Sequence, residues 1–142
     1  MGDVISMIEK IKVLQKYYNQ FLEWSNISFE EFKNNEMKKN AIERQIQLII
    51  DTAISINNML LKQLKKEITN DYFNSFISLA ENDIIEYNFA LEIAPSTGLR
   101  NVLIHQYEKI DNQKVYDSFK DVKKYYKEYI NIISKYIENK SI

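Results

Sequence analysis

Apolar residues in this chain return at three- and four-residue steps almost from end to end, and one proline and two glycines in 142 residues leave little to interrupt them. Such steps keep side chains on one stripe of an α-helix, whereas a strand needs alternation by two. Val4, Ile8, Ile11, Leu14, Tyr18, Phe21 and Leu22 make the first stripe, which predicts a helix over about 3–25. Ser28-Phe29-Glu30-Glu31 follows as the capping box of a short helical turn. A longer helix, about 36–65, carries Ala41, Ile42, Ile46, Ile49, Ile50, Ala53, Ile56, Met59, Leu60 and Leu64, a face wide enough for the centre of a bundle.

Thr69 or Asn70 is the expected cap of a third helix reaching Ala80 and burying Tyr72, Phe73, Phe76 and Leu79. A fourth, over about 83–107, contains Pro95 and Gly98 and should break between Ala94 and Leu99. Asp111 or Asn112 should open a fifth, about 112–138, with Val115, Phe119, Val122, Tyr126, Ile130, Ile133 and Ile137 inward. The expectation is an all-α fold, an antiparallel bundle of about five helices forming one domain over residues 1–142.

Cysteine is absent, which removes disulfides, thiol nucleophiles and sulfur-ligated zinc together and fits a reducing compartment. There is no basic-then-apolar leader, and no apolar run of about 18 residues that would cross a bilayer. A soluble, cytoplasmic protein with no membrane attachment is therefore expected. A net charge of −1 argues against a general nucleic-acid coat protein. Yet residues 109–142 hold eight lysines against five acids, with six of the ten tyrosines between 107 and 136. That interleaving suits either a surface that tracks phosphates and stacks bases or the ordinary solvated face of a long helix.

Chemistry concentrates in Arg100-Asn101-Val102-Leu103-Ile104-His105-Gln106-Tyr107, which holds the only histidine of the chain. Imidazole moves a proton near neutral pH, and guanidinium grips phosphate oxygens through a planar fork that stays charged. The pair suits phosphodiester cleavage without a metal, and no cofactor is called for. On a helical wheel Asn101 falls between Arg100 and His105, and Tyr107 shares the arginine's edge. Leu99, Val102 and Leu103 fall on the other side, so the segment is expected to bury one face and present the polar one. Arg100 and His105 are the candidate catalytic pair, with Asn101 in support through its i, i+4 relation to the imidazole. The competing reading is a surface or capping histidine beside an unrelated arginine.

The stretch from Gly98 to Asp111 resembles the R-x4-H-x-Y signature of HepT-type toxins in the HEPN superfamily. Ala41-Ile42-Glu43-Arg44, Tyr72-Phe73-Asn74-Ser75-Phe76 with Leu79-Ala80, Ala94-Pro95-Ser96 and Val115-Tyr116 extend the likeness over nearly the whole chain. The resemblance implies a homodimeric, metal-independent endoribonuclease, the toxic half of a two-component system, acting on transfer or messenger RNA. It implies as partner a minimal nucleotidyltransferase antitoxin, which in some members adenylylates the tyrosine standing here at Tyr107. Carried over position by position, Arg100 and His105 are the catalytic pair and Asn101 is the polar residue after the arginine. Two positions depart from the pattern: Asn57-Asn58 stand where a histidine is frequent late in the long helix, and Glu67-Ile68-Thr69 where a proline often precedes the third. An alternative keeps the fold and drops the catalysis, leaving a nucleotide-binding or docking module for a nucleotidyltransferase.

Overall fold

The structure, a computed structural model, describes residues 2–105 and 110–140. Eight helical segments occur among them: α1 (Gly2–Trp24), α2 (Phe29–Asn34), α3 (Glu36–Gln63), α4 (Tyr72–Glu81), α5 (Tyr87–Ile93), α6 (Ser96–Ile104), α7 (Asn112–Asp117) and α8 (Phe119–Lys140). The expected all-α bundle is present, its fourth and fifth helices each divided once and the short turn after Ser28 forming α2. Caps set the starts. Ser28 Oγ accepts from the Glu31 amide, Asn35 Oδ1 from that of Lys38, and Asp111 from those of Gln113 and Lys114. α4 is capped by Asp71 rather than by Thr69 or Asn70; Thr69 Oγ1 instead accepts from the Asp71 amide and steadies the cap.

The long run expected over 83–107 opens later, at Tyr87, because Asp83 takes a left-handed conformation with φ 60°. It breaks at Ala94-Pro95 as the proline requires, and it closes at Ile104, with the His105 backbone already out of the helical region. The fifth run breaks at Ser118, whose hydroxyl donates to the Val115 carbonyl and competes with the regular ladder.

α3 is the axis of the bundle: α1 and α2 pack on it from one side, α4 and α6 from another, and α8 lies against α1 and reaches α5. Phe119 at the start of α8 meets Phe21 and Phe32 edge-on at 5.5 and 5.2 Å, fastening α1, α2 and α8 at one end. Tyr129, absent from the predicted stripe of α8, is fully buried. Its hydroxyl donates to Asn57 Oδ1 at 2.6 Å, and Asn57 Nδ2 donates to Ser75 Oγ at 3.1 Å. Asn57, one of the two departures from the family pattern, is thus a core residue joining α3, α4 and α8. Met7 takes an inner position on α1, while Ile8 and Leu22 sit toward solvent.

Candidate active site

Arg100 is held from three directions. Its Nε donates to Asp51 Oδ1 on α3 at 2.7 Å, with the arginine side chain 18 % exposed. The guanidinium carbon lies 4.7 Å from the centre of the Tyr72 ring, at the first turn of α4. Nη1 reaches Asn101 Oδ1 at 3.4 Å. Two of the five N–H donors are thereby used, and about three stay available to a phosphate, all on the Nη nitrogens.

Part of the expected sorting of α6 is corrected here: Leu103 is buried and Leu99 packs half-buried against the core as expected, but Arg100 is not on the solvent face. With Arg100 at 0°, the buried or half-buried Ser96, Thr97, Leu103 and Ile104 all lie within about 60° of it. Val102, expected inside, is 51 % exposed. The inward face of α6 therefore centres on the arginine itself, because Asp51 supplies the charge that lets a guanidinium sit in a helix seam. Asp51 went unnoticed in the sequence, although it is the sole charged residue between Arg44 and Lys62 on the long central helix. A lone acid in such a run signals a buried or half-buried cation elsewhere.

The start of α6 is anchored as well. Ser96 Oγ and the Tyr126 hydroxyl are 2.6 Å apart, and Thr97 Oγ1 donates to the Ala94 carbonyl at 2.9 Å. Burial pushes the Tyr126 phenol far above its ordinary range, the Ser96 contact opposing this and the Asp51 charge reinforcing it. Tyr126 is accordingly a neutral strut between α6 and α8.

Between α4 and α6 opens a cleft of about 520 Å³ lined by Tyr72, Phe73, Pro95, Gly98, Arg100 and Asn101, among others. Phe73, expected in the core, is 40 % exposed at this cleft. A Cβ at Gly98 would meet nothing within 4 Å, so this glycine is open to the cleft and not demanded by packing.

His105 follows α6 as its C-cap, exposed, its amide donating to the Asn101 carbonyl at 3.0 Å. It stands about 7–8 Å further along the axis than Arg100 and about 140° around it. It is not among the residues lining the α4–α6 cleft. Arg100 and Asn101 thus share one concavity, and His105 projects from the end of the same helix. Tyr107 lies outside the described residues. Among those described, no three His, Asp or Glu side chains gather as metal ligands, and no helix is long and apolar enough to cross a membrane.

A family model described as "Ribonuclease HepT-like" matches residues 7–133. A tRNA nuclease HepT from Aphanizomenon flos-aquae is 31% identical over 128 residues, which is 90% of this chain and 87% of that protein. A putative RNase from Archaeoglobus fulgidus is 31% identical over 105 residues, 71% of this chain and 79% of its own length. Among solved structures, a tri-AMPylated Shewanella oneidensis HEPN toxin in complex with an MNT antitoxin superposes with a TM-score of 0.75 at 21% identity, covering 95% of this chain and 98% of that one. YutE from Bacillus subtilis, a cytosolic protein of unknown function, superposes with a TM-score of 0.77 at 16% identity over 93% of this chain and 91% of its own.

Proposed function

Since the chain belongs to the HepT-like ribonuclease family, we propose that it is a metal-independent endoribonuclease of the cytoplasm. In this reading it is the toxin of a toxin–antitoxin pair, cutting transfer or messenger RNA as a homodimer. A minimal nucleotidyltransferase antitoxin neutralises it. The observation that carries the reading is Arg100: a guanidinium fixed by Asp51 and Tyr72 at the edge of an open cleft, with about three of its outer N–H groups unspent.

The proposed reaction is attack of the RNA 2′-hydroxyl on the adjacent phosphorus. A bond forms from O2′ to phosphorus, the bond from phosphorus to O5′ breaks, and the products are a cyclic phosphate and a free 5′-hydroxyl. Arg100 faces the charge that builds on the non-bridging oxygens, and because Asp51 and Tyr72 have already oriented it, little reorganisation is needed in the transition state. One proton must leave O2′ and another must reach O5′, so acid and base are both required. With one histidine per chain, a single subunit has one imidazole; a two-fold axis beside α6 brings two. The exposed position of His105 at the helix end favours such sharing, and Asn101 orients the substrate or the neighbouring groups at the cleft.

Adenylylation of Tyr107 by the antitoxin would place a phosphodiester anion two residues from His105, occupying the arginine and repelling RNA. Three experiments test the reading. Purified protein is incubated with transfer RNA in excess chelator; cleavage should persist, vanish in His105→Ala, and stop when the mapped site carries a 2′-deoxy sugar. Cutting that survives the deoxy substitution would rule out the 2′-hydroxyl route. Equal toxicity of the wild type and His105→Ala on induction would favour a docking module over an enzyme. Intact mass of the chain co-expressed with its antitoxin reads the modification, and an unmodified Tyr107 in a neutralised complex would exclude adenylylation as the means of silencing.

A further inference from the structure

Apart from the cleft at Arg100, α1 and α8 enclose a second groove of about 670 Å³. Lys120, Lys123, Lys124 and Lys127 line one wall, and Asn131 continues it. They fall within about 100° of arc on α8, whereas Asp121 and Glu128 lie beyond that arc. None of the four lysines has a carboxylate within ion-pair distance among the described residues; Lys124 makes only a cation–π contact with Tyr125. The opposite wall, on α1, contributes the Gln15 and Asn19 amides, which bond each other at 2.9 Å and carry no charge. The floor is stiff: the Tyr18 hydroxyl donates to the Lys123 carbonyl at 2.6 Å and joins the two helices beneath the lysines. In a chain of net charge −1, four cations gathered over about 10 Å of one helix make a local positive field.

We infer that the α1–α8 groove is a binding site for the sugar–phosphate backbone of RNA, apart from the cleft at Arg100. The inference rests on the reading of this chain as acting on RNA. The side chains favour phosphate over a protein surface. Lysine meets phosphate as a mobile point charge and needs no fixed geometry, while protein interfaces are depleted in lysine and enriched in arginine and aromatic anchors. The groove offers no arginine and no exposed aromatic, and its amides supply neutral donors and acceptors. The groove and the cleft share no lining residue, although the Ser96–Tyr126 contact joins their helices α6 and α8 through the interior. On this proposal a dinucleotide held at the cleft leaves the lysines unused, whereas a folded RNA the size of a transfer RNA engages both. The groove thus selects for RNA size without reading sequence.

The test measures binding of a labelled full-length transfer RNA transcript to the chain in the His105→Ala background, with and without Lys→Gln at 120, 123, 124 and 127. A control carries Lys→Gln at 10, 33, 62 and 66, exposed positions elsewhere. The groove variant should bind at least about tenfold more weakly at low salt, and the slope of log affinity against log salt should fall by about 2–3, at roughly 0.7 per lost phosphate contact. With His105 restored, it should cleave a dinucleotide at the wild-type rate and transfer RNA more slowly. Unchanged affinity and slope, or an equal loss in the control, would overturn the proposal. So would a difference seen with polyglutamate and not with transfer RNA, which would make the groove a site for an acidic protein. Because binding is read without cleavage, failure of the ribonuclease reading and failure of the groove give different results.

Discussion

Arg100 stands within α6 and His105 caps its end, yet the fold treats them in opposite ways. The arginine is turned into the seam between α3, α4 and α6, bound to Asp51 at 2.7 Å and laid against Tyr72. The histidine sits past the last helical residue, exposed, on backbone that has left the helix. A group that stabilises charge gains from being fixed beforehand, since it need not reorganise as the charge develops. A group that moves protons needs access to two oxygens in turn, and the end of a helix is where a second subunit can approach. Proximity in sequence therefore brings these two groups to one helix without making them one rigid unit.

The sharpest way to break this comparison is to remove each group. Arg100→Ala and His105→Ala should each lower kcat for RNA cleavage by about 10²–10⁴. Only the arginine variant should also lower Tm, because it strands Asp51 in the seam; a matching loss in His105→Ala, by calorimetry, would contradict the contrast. Next in size is Asp51→Asn, which keeps shape and removes the anchor's charge. It should cost about 10–100-fold in kcat with KM little changed, as expected when a positioned group drifts, and Asp51→Glu should recover part of it. An Asp51→Asn enzyme with wild-type kcat would mean the ion pair is merely structural.

Tyr129→Phe probes the other side of α3. It leaves Asn57 Oδ1 without its phenol partner in a fully buried site, at about 1–3 kcal/mol of stability in denaturant melts, while turnover of the folded fraction stays at the wild-type level. The smallest effect contrasts two acids of α3. Asp51 has a cation, whereas Glu43 is buried with Oε2 unpartnered, and burial raises its pKa, Lys39 opposing and Glu36 adding to the shift. A raised carboxyl favours folding below its unfolded value of 4.5 and loses that contribution as pH rises. Glu43→Gln should therefore raise Tm at pH 7 by about 1–3 °C, with the gain shrinking near pH 3.5. A Tm lowered at neutral pH would show that Glu43 serves a partner as Asp51 does.

The helices were legible because apolar spacing is a local signal, and Pro95 marked its break for a covalent reason. The break at Ser118 and the late start at Tyr87 were not, since each turns on one residue's backbone geometry within an unbroken apolar pattern. Tyr129 escaped because its burial depends on Asn57, 72 positions away. The candidate site followed the same rule. Arg100, Asn101 and His105 were singled out by residue type and spacing, but the wheel turned Arg100 to solvent because a lone guanidinium belongs there. Asp51, 49 positions earlier, reverses that preference. The solitary charge on α3 was the available clue, and its partner could be found only in three dimensions.

The central claim is that Arg100 and His105 serve a single scissile phosphate, with the second imidazole coming from the sister subunit. The direct measurement is a mixed dimer, purified through two different tags, of one wild-type subunit and one His105→Ala subunit. Shared chemistry predicts RNA cleavage close to that of the doubly substituted dimer, far below half of wild type. Half the wild-type rate would mean that each subunit cuts alone, and would contradict the account.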